Sequence, residues 1–586
     1  MVYFHKVLLN LGIIFISCFL TVDNTEASDN KDQPERGYSK QFKGAVTAEK
    51  FMVSTANPIA TNAGYKVLLS GGSAIDAVVA IQMVLNVVEP QSSGIGGGAF
   101  ILYWDAKKRQ LYSFDGRETA PTSLNSNYFI TRDGRKKSFW DAVQGGGSVG
   151  VPGTLRLMEF VHQRYGIVSW SELFKPAIQI AREGFVVSPR LAKSISRAKK
   201  RGLDRFPAAR AYFFNKDLTP KLANSRLANI PLAETFDLVA KRGANVFYEG
   251  SLAHSIVNSV RKTKLNPGHL TLDDLANYQV KERKPVCIPY KEYEVCGMGS
   301  PSSGGLTVGQ ILGILENFDL EKQRSSLKAT HLFIEASKLA YADRNLYMAD
   351  KDFIEVPEMG LIDKVYLLNR AQLITDRGSG KAAAGYPKGS KGLLRSLQQQ
   401  NERPGTTHYV VVDKYGNSAS VTSTIETGFG SRVMVGGFLL NNELTDFSFV
   451  PDRNGRLIAN RVQGGKRPRS SMAPTVVLKE GKPFLITGSP GGSRIISYVA
   501  RTILNVLEWG LDPQAAINSG HIVNRNGVTE LEEGTDAINL KEGLESLGHK
   551  VKIRNLNSGL HSILFAQDGT LIGAADPRRE GLVMGE

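Results

Sequence analysis

The sequence predicts an α/β protein in which largely antiparallel sheets are layered between helices. Strand pairs recur in the early and late parts of the chain, and segments with helical periodicity enclose them. The 586 residues are 42% hydrophobic, which is enough to bury a large core. That core could be one large α/β body or several domains.

The first part of the chain is mainly helical by pattern. Ser73 and Asp76 form a capping signal before an apolar helix that ends ahead of Pro90. The glycine-rich "SGIGGGAF" then leads into two strands, "FILYWD" and "RQLYSFD". Residues 154–285 and the segment "LKATHLFIEASKLAYADRNLYM" return to helical periodicity.

A change of composition divides the chain at residues 376–405, which are polar and glycine-rich without regular periodicity. Such a segment predicts a flexible linker. After it, "THYVVVD" with "SASVTSTI" and "PTVVLK" with "PFLITG" predict two hairpins. "GSPGGSR" predicts a turn from a strand into a long helix, and further strands close the chain.

The amino-terminal segment has the layout of a secretory signal. Lys6 precedes an uncharged run from Val7 to Val22, and small residues follow, so we expect residues 1–27 to be removed. The run is shorter than the ~20 residues that span a bilayer. A lipoprotein signal at Cys18 is less favoured. The sequence therefore predicts an exported protein, periplasmic or extracellular, with no stable membrane span.

The chain is basic, with a formal net charge of +16. This excess favours anionic partners, but the charges are scattered, so we expect a small acidic substrate and no nucleic acid. The glycine-rich strings "LSGGS", "GIGGGA" and "GSGKA" do not predict nucleotide binding. They lack either the helix N-terminus that binds a pyrophosphate or the residues that complete a phosphate loop.

Two cysteines remain after the signal, Cys287 and Cys296. If Lys291 and Glu292 form the tip of a two-residue hairpin, the cysteines lie opposite each other. An exported protein could oxidise them to a disulfide, and two reduced thiols are the alternative. No Cys/His cluster has the spacing of zinc ligands, so we expect no metal.

Thr406, the residue after the linker, is the candidate nucleophile. If the turn of the first hairpin begins after Asp413, then Asp413 pairs with Ser418, and counting back places Thr406 beside Thr424 and Ile425. A threonine hydroxyl needs a base beside it to attack a carbonyl. The α-amino group of an amino-terminal threonine, which titrates near pH 8, can be that base.

Such a base requires cleavage between Gly405 and Thr406. An acyl-transfer nucleophile also needs donors for the developing oxyanion. Gly491 and Gly492 lie at the predicted strand-to-helix turn, where backbone N–H groups and the helix dipole converge. Taken singly, a threonine in a strand and a glycine turn are ordinary structural features.

Two polar segments could complete a pocket with both signs of charge. Glu443 and Asp446 suit an ammonium group, and Ser470 and Ser471, beside several basic residues, suit a carboxylate. Together the two segments predict a pocket that binds the ammonium and the carboxylate of a free α-amino acid. Each alone is a solvated polar loop in most proteins.

These motifs, in this order, resemble the γ-glutamyltranspeptidase (glutathione hydrolase) family over nearly all of the mature length. Stretches that carry the resemblance include "GRETAP", "SSGGLTVGQILGILENFDL", "TTHYVVVDKYGNSASVT", "LLNNELTDFS", "KRPRSSMAPT" and "TGSPGGSRII". The resemblance implies an N-terminal-nucleophile hydrolase, an αββα sandwich made as a precursor that cuts itself before Thr406. The large subunit would be residues 28–405, ending in the linker 376–405, and the small subunit 406–586.

The resemblance also implies the catalytic roles. Thr406 would be the nucleophile in self-cleavage and in acyl transfer, and Thr424 would hydrogen-bond its hydroxyl. Gly491 and Gly492 would bind the oxyanion. No metal or organic cofactor is implied.

For the substrate, the resemblance implies that Arg117 binds the glutamyl α-carboxylate, aided by Ser470 and Ser471. Glu443 and Asp446 would bind the α-amino group. Two features depart from the family: Glu426 stands where well-studied members carry Asn as a substrate contact, and the expected lid, residues 447–468, contains no tyrosine.

The implied function is cleavage of the γ-glutamyl amide of glutathione and related compounds through a γ-glutamyl-enzyme. Water or an acceptor amino acid or peptide would then take the glutamyl group. One alternative is an acylase of the same fold for a glutaryl-type β-lactam side chain, which lacks the α-amino group. Another is a non-catalytic exported protein that binds amino acids and keeps an intact chain.

Overall fold

Two seven-stranded sheets form the centre of the protein. The structure is a computed structural model that describes residues 43–586 except 322, 325 and 399–401, so the expected signal segment lies outside the described residues. In chain order the strands of the two sheets are β1 (Val46–Ala48), β2 (Met52–Thr55), β3 (Gly98–Asp105), β4 (Gln110–Gly116), β5 (Lys281–Arg283), β6 (Val286–Tyr290), β7 (Tyr293–Gly297), β8 (Thr406–Val412), β9 (Ser418–Thr424), β10 (Thr475–Lys479), β11 (Lys482–Gly488), β12 (His561–Phe565), β13 (Leu571–Ala575) and β14 (Leu582–Gly585).

The first sheet has the order β1-β13-β12-β11-β10-β7-β6, and the second has the order β14-β2-β8-β9-β3-β4-β5. All neighbours in both sheets pair antiparallel. The antiparallel sheets predicted from the sequence are therefore confirmed. Shorter strands lie outside the two sheets at Phe185–Val186, Arg226–Leu227, Met434–Val435, Phe438–Leu439, Asp452–Arg453, Arg456–Leu457, Ile522–Asn524, Thr529–Glu532 and Val551–Arg554.

Helices cover the outer face of each sheet. One layer packs on the second sheet: Pro58–Leu69, Ala74–Val88, Thr154–Tyr165, Trp170–Glu183, Pro189–Lys199, Pro207–Phe213, Ile230–Arg242, Asn245–Tyr248, Ser251–Arg261 and Leu272–Ala276. The other packs on the first sheet: Gly304–Leu315, Leu327–Tyr347, Glu358–Leu361, Lys364–Ala371, Ile495–Leu507, Pro513–Asn518 and Lys541–Ser546. A short helix, Phe139–Val143, contributes to a separate small apolar cluster.

Strand alternation divides the core between these layers. In β8, Val410 and Val412 pack between the two sheets, whereas Tyr409 and Val411 pack against helices. Successive side chains of a strand point to opposite faces, so one strand serves both cores. The four layers form the αββα sandwich that the resemblance implied.

The capping signal at Ser73 works as the sequence predicts. The Ser73 hydroxyl accepts from the backbone N–H of Asp76, and the Asp76 carboxylate accepts from the backbone N–H of Ser73. The helix that follows, Ala74–Val88, is buried along its whole length and ends before Pro90. It lies under the strands that carry the candidate nucleophile.

The β8–β9 hairpin places Thr406 directly opposite Thr424, and Val412 opposite Ser418. The predicted pairing of Asp413 with Ser418 was wrong by one residue, because Asp413 belongs to the turn. Its backbone N–H donates to the Asn417 carbonyl, and its carboxylate accepts from backbone N–H groups of the turn. Sequence reasoning missed this side-chain-stabilised turn.

Both sheets interleave strands from before and after residue 405. In the second sheet β8 and β9 lie between β2 and β3, and in the first sheet β10–β13 lie between β1 and β7. The described parts of the predicted linker, 376–398 and 402–405, contain neither helix nor named strand. They lie against the body, with the Gly378 N–H donating to Leu547 and the Ser396 N–H to Leu457.

Cys287 and Cys296 lie opposite each other on β6 and β7, and their sulfur atoms are bonded at 2.06 Å. Tyr290 pairs with Tyr293, so Lys291 and Glu292 form the two-residue tip. Within the described part of the chain, no helix combines the length and apolarity needed to cross a bilayer.

Candidate active site

A cleft at the first residue of β8 collects all of the predicted catalytic and substrate-binding residues except Gly491, whereas Gly405 of the predicted cleavage site is not among its lining residues. Its lining consists of Arg117, Glu402, Arg403, Thr406, Thr424, Glu426, Glu443, Asp446, Ser470, Ser471, Met472, Gly492 and Ile495. These residues come from segments more than 370 positions apart (117 to 495), which the sandwich brings together. Several of the charged residues in this lining are almost fully buried.

One hydroxyl links the candidate nucleophile to the bond before it. Thr424 Oγ1 donates to the Gly405 carbonyl at 3.1 Å and lies 3.2 Å from Thr406 Oγ1. Thr424 Oγ1 also accepts from the backbone N–H of Glu426 at 2.9 Å. Because the Thr424 hydroxyl has one proton, and Gly405 accepts it, Thr406 is left as the donor to Thr424. The hydrogen bonds therefore run in one direction, from the Thr406 hydroxyl to the Thr424 hydroxyl to the Gly405 carbonyl oxygen.

Gly405 fits its position because it has no side chain. A Cβ there would lie 2.0 Å from the Glu426 carbonyl oxygen and 2.4 Å from the Thr427 carbonyl carbon. Both are backbone atoms, which cannot move aside as a flexible side chain can. The close approach holds the Gly405–Thr406 peptide against the backbone at the end of β9.

Gly491 and Gly492 form the turn between β11 and the helix that begins at Ile495, as predicted. Their φ angles are +140° and +61°, values that favour glycine. A Cβ on Gly492 would lie 3.0 Å from the Arg403 carbonyl carbon. The segment just before Thr406 therefore packs on Gly492.

The predicted substrate-binding residues of opposite sign contact one another in this structure. Arg117 Nη1 donates to Glu443 Oε1, and Arg117 Nη2 donates to Asp446 Oδ2 at 2.6 Å. Arg117 Nε donates to the Pro468 carbonyl oxygen, and Nη2 also donates to the Arg469 carbonyl oxygen. Burial opposes the charge of the guanidinium, but the carboxylates outweigh it and raise the pKa of Arg117.

Near Arg117 the carboxyl groups outnumber the single guanidinium. Burial raises the pKa of Glu118 to about 7, and its carboxylate lies 3.8 Å from Arg117. Burial together with the Asp446 carboxylate raises the pKa of Glu426, and burial together with Glu443 raises the pKa of Asp446. Both Glu118 oxygens, Glu443 Oε2 and Asp446 Oδ1 lack a hydrogen-bond partner among the described residues. An ammonium group would relieve this excess of negative charge.

Glu426, the departure from the family pattern, lies two residues after β9 and has a φ of +73°, a strained value for a non-glycine residue. Its carboxylate accepts from Asn442 Nδ2 at 2.6 Å and from the Arg403 N–H at 3.2 Å. The strained backbone aims the Glu426 N–H at Thr424 and its side chain into the cleft.

The two predicted serines differ in their contacts. Ser471 Oγ donates to the Glu402 carboxylate and accepts from Arg344 Nη2 at 2.5 Å. Ser470 Oγ accepts from the Met472 N–H. Of the basic residues beside them in the sequence, Arg469 approaches Glu402 at 3.4 Å, whereas Arg467 pairs with Asp115.

Sequence reasoning missed Glu118, Arg344 and Glu402. Glu118 follows Arg117 inside the motif "GRETAP", and Arg344 is the arginine of "YADRN", so both were in quoted motifs without an assigned role. Neither motif alone indicates that Glu118 lies beside Arg117 or that Arg344 donates to Glu402.

A buried group elsewhere brings potential metal ligands together. His331, Glu335 and His549 place ligand atoms within 4.8 Å of one another. The Lys338 ammonium, however, lies 2.6 Å from the Glu335 carboxylate and 3.5 Å from His549 Nδ1. A cation of the protein itself already occupies this position.

Comparison with known proteins agrees with this architecture. A family model described as gamma-glutamyltranspeptidase matches residues 60–586. The chain is 36% identical to the glutathione hydrolase proenzyme of Bacillus subtilis (strain 168), over 97% of each chain. It is 37% identical to the glutathione hydrolase proenzyme of Escherichia coli (strain K12), over 91% of each chain.

A crystal structure of cephalosporin acylase from Bacillus halodurans matches with a TM-score of 0.82 and 27% identity, covering 93% of this chain and 97% of that chain. The fold is thus that of the N-terminal-nucleophile hydrolases, as the resemblance implied. The chain belongs to the gamma-glutamyltranspeptidase family of enzymes.

Proposed function

We propose that the chain is an exported precursor that cuts itself between Gly405 and Thr406 and then removes γ-glutamyl groups from glutathione and related amides. One arrangement carries the proposal: the Thr424 hydroxyl contacts both Thr406 Oγ1 and the Gly405 carbonyl oxygen. Nucleophile, polarising donor and the bond to be cut meet at one point. Export rests on the signal layout of residues 1–27.

In self-cleavage, Thr406 Oγ1 attacks the Gly405 carbonyl carbon while Thr424 donates to the carbonyl oxygen. The Gly405–Thr406 C–N bond breaks, the nitrogen takes the proton that the Thr406 hydroxyl gives up and becomes the α-amino group of Thr406, and an ester joins Gly405 to Thr406 Oγ1. Water hydrolyses the ester. The products are a large subunit, 28–405, and a small subunit, 406–586.

In turnover, the freed α-amino group takes the proton of the Thr406 hydroxyl. The oxygen attacks the γ-carbonyl of the donor, and the N–H groups of Gly491 and Gly492 bind the oxyanion. The amine leaves with a proton, as cysteinylglycine in the case of glutathione, and a γ-glutamyl ester remains. Water or an acceptor amino acid or peptide attacks that ester and restores the hydroxyl. The scheme uses no metal or organic cofactor.

The acidic end of the cleft supports a donor with a free α-amino group. Glu426, Glu443 and Asp446 line the cleft with raised pKa values, and Glu443 Oε2 and Asp446 Oδ1 lack a hydrogen-bond partner among the described residues. A glutaryl donor has no ammonium group to offer them. For this reason γ-glutamyl donors are favoured over the glutaryl donors of an acylase.

Intact-mass analysis of two matched variants tests self-cleavage. Thr407 is buried on the opposite face of β8, and its hydroxyl lacks a partner among the described residues. We expect wild type and Thr407→Val to give two chains, one beginning at Thr406, and Thr406→Val to give one. Cleavage of Thr406→Val would contradict the proposal, and an uncut wild type would favour a non-catalytic binding protein.

Turnover of γ-glutamyl and glutaryl anilides by the cleaved enzyme tests the substrate. The acylase alternative is supported by the cephalosporin acylase match. We expect kcat/KM for the γ-glutamyl anilide to exceed that for the glutaryl anilide at least about tenfold, since a charged hydrogen bond contributes about 1.5–3 kcal/mol. The opposite preference would establish the acylase. Amino-terminal sequencing of the exported protein checks removal of residues 1–27.

A further inference from the structure

One charged side chain that does not line the cleft contacts the candidate nucleophile directly. Arg579 Nη1 donates to the Thr406 carbonyl oxygen at 3.2 Å. Arg579 is buried, at 2% exposure, in the connection between β13 and β14. The strand β2, which neighbours β8 on one side, pairs with it only from Tyr409 onward and does not reach Thr406. A side chain from the end of the chain therefore contacts the backbone at the first residue of β8.

Arg579 is held by close packing. A Cβ on Gly559 would lie 2.8 Å from Arg579 Cδ and 2.6 Å from Pro490 Cγ, so both side chains pass directly over this glycine. Pro490 belongs to the turn that supplies the proposed oxyanion donors. The Arg579 backbone N–H donates to the Asp576 carbonyl oxygen at 3.4 Å. The packing that fixes Arg579 thus also contacts the oxyanion turn.

The proposed reaction requires an amine that is unprotonated at working pH. An ordinary α-amino group titrates near pH 8, so about nine-tenths of it is protonated at pH 7 and cannot accept the hydroxyl proton. A positive charge within roughly 4–6 Å disfavours the ammonium form and lowers the pKa of an amine. The carbonyl that Arg579 contacts and the amine that self-cleavage would free belong to the same residue, Thr406. The guanidinium is therefore close enough to lower the pKa of that amine.

Other titratable groups also surround Thr406. The charged residues that face it from the cleft are Arg117, Glu402, Arg403, Glu426, Glu443 and Asp446. Two histidines lie on the inner side, His408 on the same strand and His561 on β12, with ring centroids 6.5 Å apart. Burial lowers the pKa of both, helped at His561 by the charges of Lys43 and Arg579, so neither carries a charge at pH 7. All of these groups stay in place when only Arg579 is replaced.

We propose that Arg579 is a positioning residue that holds the Thr406 carbonyl and, through its charge, keeps the freed α-amino group unprotonated so that it can act as the base. The inference rests on the proposed function. A buried arginine that only stabilised the fold would lower activity equally at every pH and would leave the titration of Thr406 unchanged.

The first test is the pH profile of kcat/KM for the cleaved enzyme and two variants. Arg579→Gln keeps an N–H donor and loses the charge, whereas Arg579→Lys keeps the charge. We expect the apparent pKa of the acidic limb to rise by about 1 unit in Arg579→Gln and to stay in place in Arg579→Lys. Arg579→Gln would then lose about tenfold in kcat/KM below that pKa and little above it. An equal loss at every pH would overturn the proposal.

The second test titrates the amine without any substrate. Trace acetylation with acetic anhydride between pH 6 and 9, followed by mass spectrometry of the peptide that begins at Thr406, reports the unprotonated fraction. We expect the same rise of about 1 unit in Arg579→Gln. Arg370→Gln is the matched control, because Arg370 is also buried and donates to the backbone carbonyls of Leu339 and Ala383 outside the cleft. It should titrate as wild type, and an unchanged pKa in Arg579→Gln would overturn the proposal.

The two tests distinguish failure of this inference from failure of the proposed function. A cleaved enzyme that does not use the γ-glutamyl anilide would contradict the proposed substrate, and the acetylation test would still decide the role of Arg579. Normal γ-glutamyl turnover with no pKa shift in Arg579→Gln would contradict only that role. A wild type that stays uncut frees no amine and would overturn both.

Self-cleavage of the variants gives a further check. It precedes the amine, so we expect Arg579→Gln, which keeps a hydrogen-bond donor, to be cut within about tenfold of the wild-type rate. A folded Arg579→Gln that stays uncut would overturn the proposal, because the charge would then be needed before the amine exists. Should Arg579→Gln fail to fold, Arg579→Lys still decides, since a raised acetylation pKa in that variant would contradict a role for the charge.

Discussion

Thr406 and Thr424 face each other across adjacent antiparallel strands, with their hydroxyl oxygens 3.2 Å apart. Register alone accounts for this pairing, because both residues are end positions of the same hairpin. The Thr424 hydroxyl is also within hydrogen-bond distance of the Gly405 carbonyl. One side chain thus contacts both partners of the proposed cut.

Replacing Thr424 tests that double contact. We expect Thr424→Val to slow self-cleavage by roughly 10²–10³, the usual effect of removing one donor to a developing oxyanion. Thr424→Ser keeps the hydroxyl and should cleave within about tenfold of wild type. Time courses on a denaturing gel measure both rates. Equal rates for the two variants would show that the hydroxyl is not needed.

Adding a methyl group at Gly405 tests the position of the scissile peptide. The Cβ of Gly405→Ala would collide with the Glu426 carbonyl oxygen, so we expect the peptide to shift away from Thr406 and self-cleavage to fall at least about a hundredfold. Gly527 has open space around it, and Gly527→Ala is the control. Normal maturation of Gly405→Ala would exclude a tight fit here.

The raised pKa values of the acids predict a pH dependence specific to the ammonium group. A carboxyl with a raised pKa is protonated below that value and attracts an ammonium only when ionised. Because Glu118 titrates near 7 and the pKa of Glu426 is also raised, donor binding should strengthen as pH rises through about 7.

The measurement is the ratio of kcat/KM for γ-glutamyl and glutaryl anilides between pH 6 and 8. The α-amino group of Thr406 titrates for both donors and cancels in the ratio. We expect the ratio to increase with pH in wild type and to increase less in Glu426→Gln. A flat wild-type ratio would mean that these acids do not contact the donor.

Reducing the Cys287–Cys296 bond should lower stability without changing catalysis. The bond closes a short loop at an edge of the first sheet, for which the chain-entropy model gives about 2–3 kcal/mol. We expect the double variant Cys287→Ser/Cys296→Ser to melt a few degrees lower and to keep wild-type kcat/KM. Differential scanning calorimetry and anilide turnover measure the two effects, and a loss of turnover would contradict this separation.

Patterns local in sequence predicted most of the fold. The Ser73 capping signal and the hairpin strands depend on residues a few positions apart, so the interactions that form them can be predicted from the sequence. The one-residue error at Asp413 arose because its side chain extends the turn, an effect that strand alternation does not reveal.

The candidate site was predictable as a set of residues but not as a set of contacts. Pairing of Arg117 with Glu443 joins positions more than 320 residues apart, and opposite charges alone do not reveal that the chain satisfies them internally. Arg344, in the last turn of the helix Leu327–Tyr347, likewise contacts Glu402 and Ser471, which follow it by 58 and 127 positions. Long-range packing of this kind has no signature in a single sequence.

The interleaved strand order has a further consequence. A break in the backbone at residue 405 would divide the polypeptide but not the body, because each product contributes strands to the middle of the other's sheets. The disulfide lies wholly on one side of the break, so it would not hold the products together. The two products would be held together by the hydrogen bonds between their neighbouring strands and by the apolar core that they share. Separating them would require both sheets to unfold.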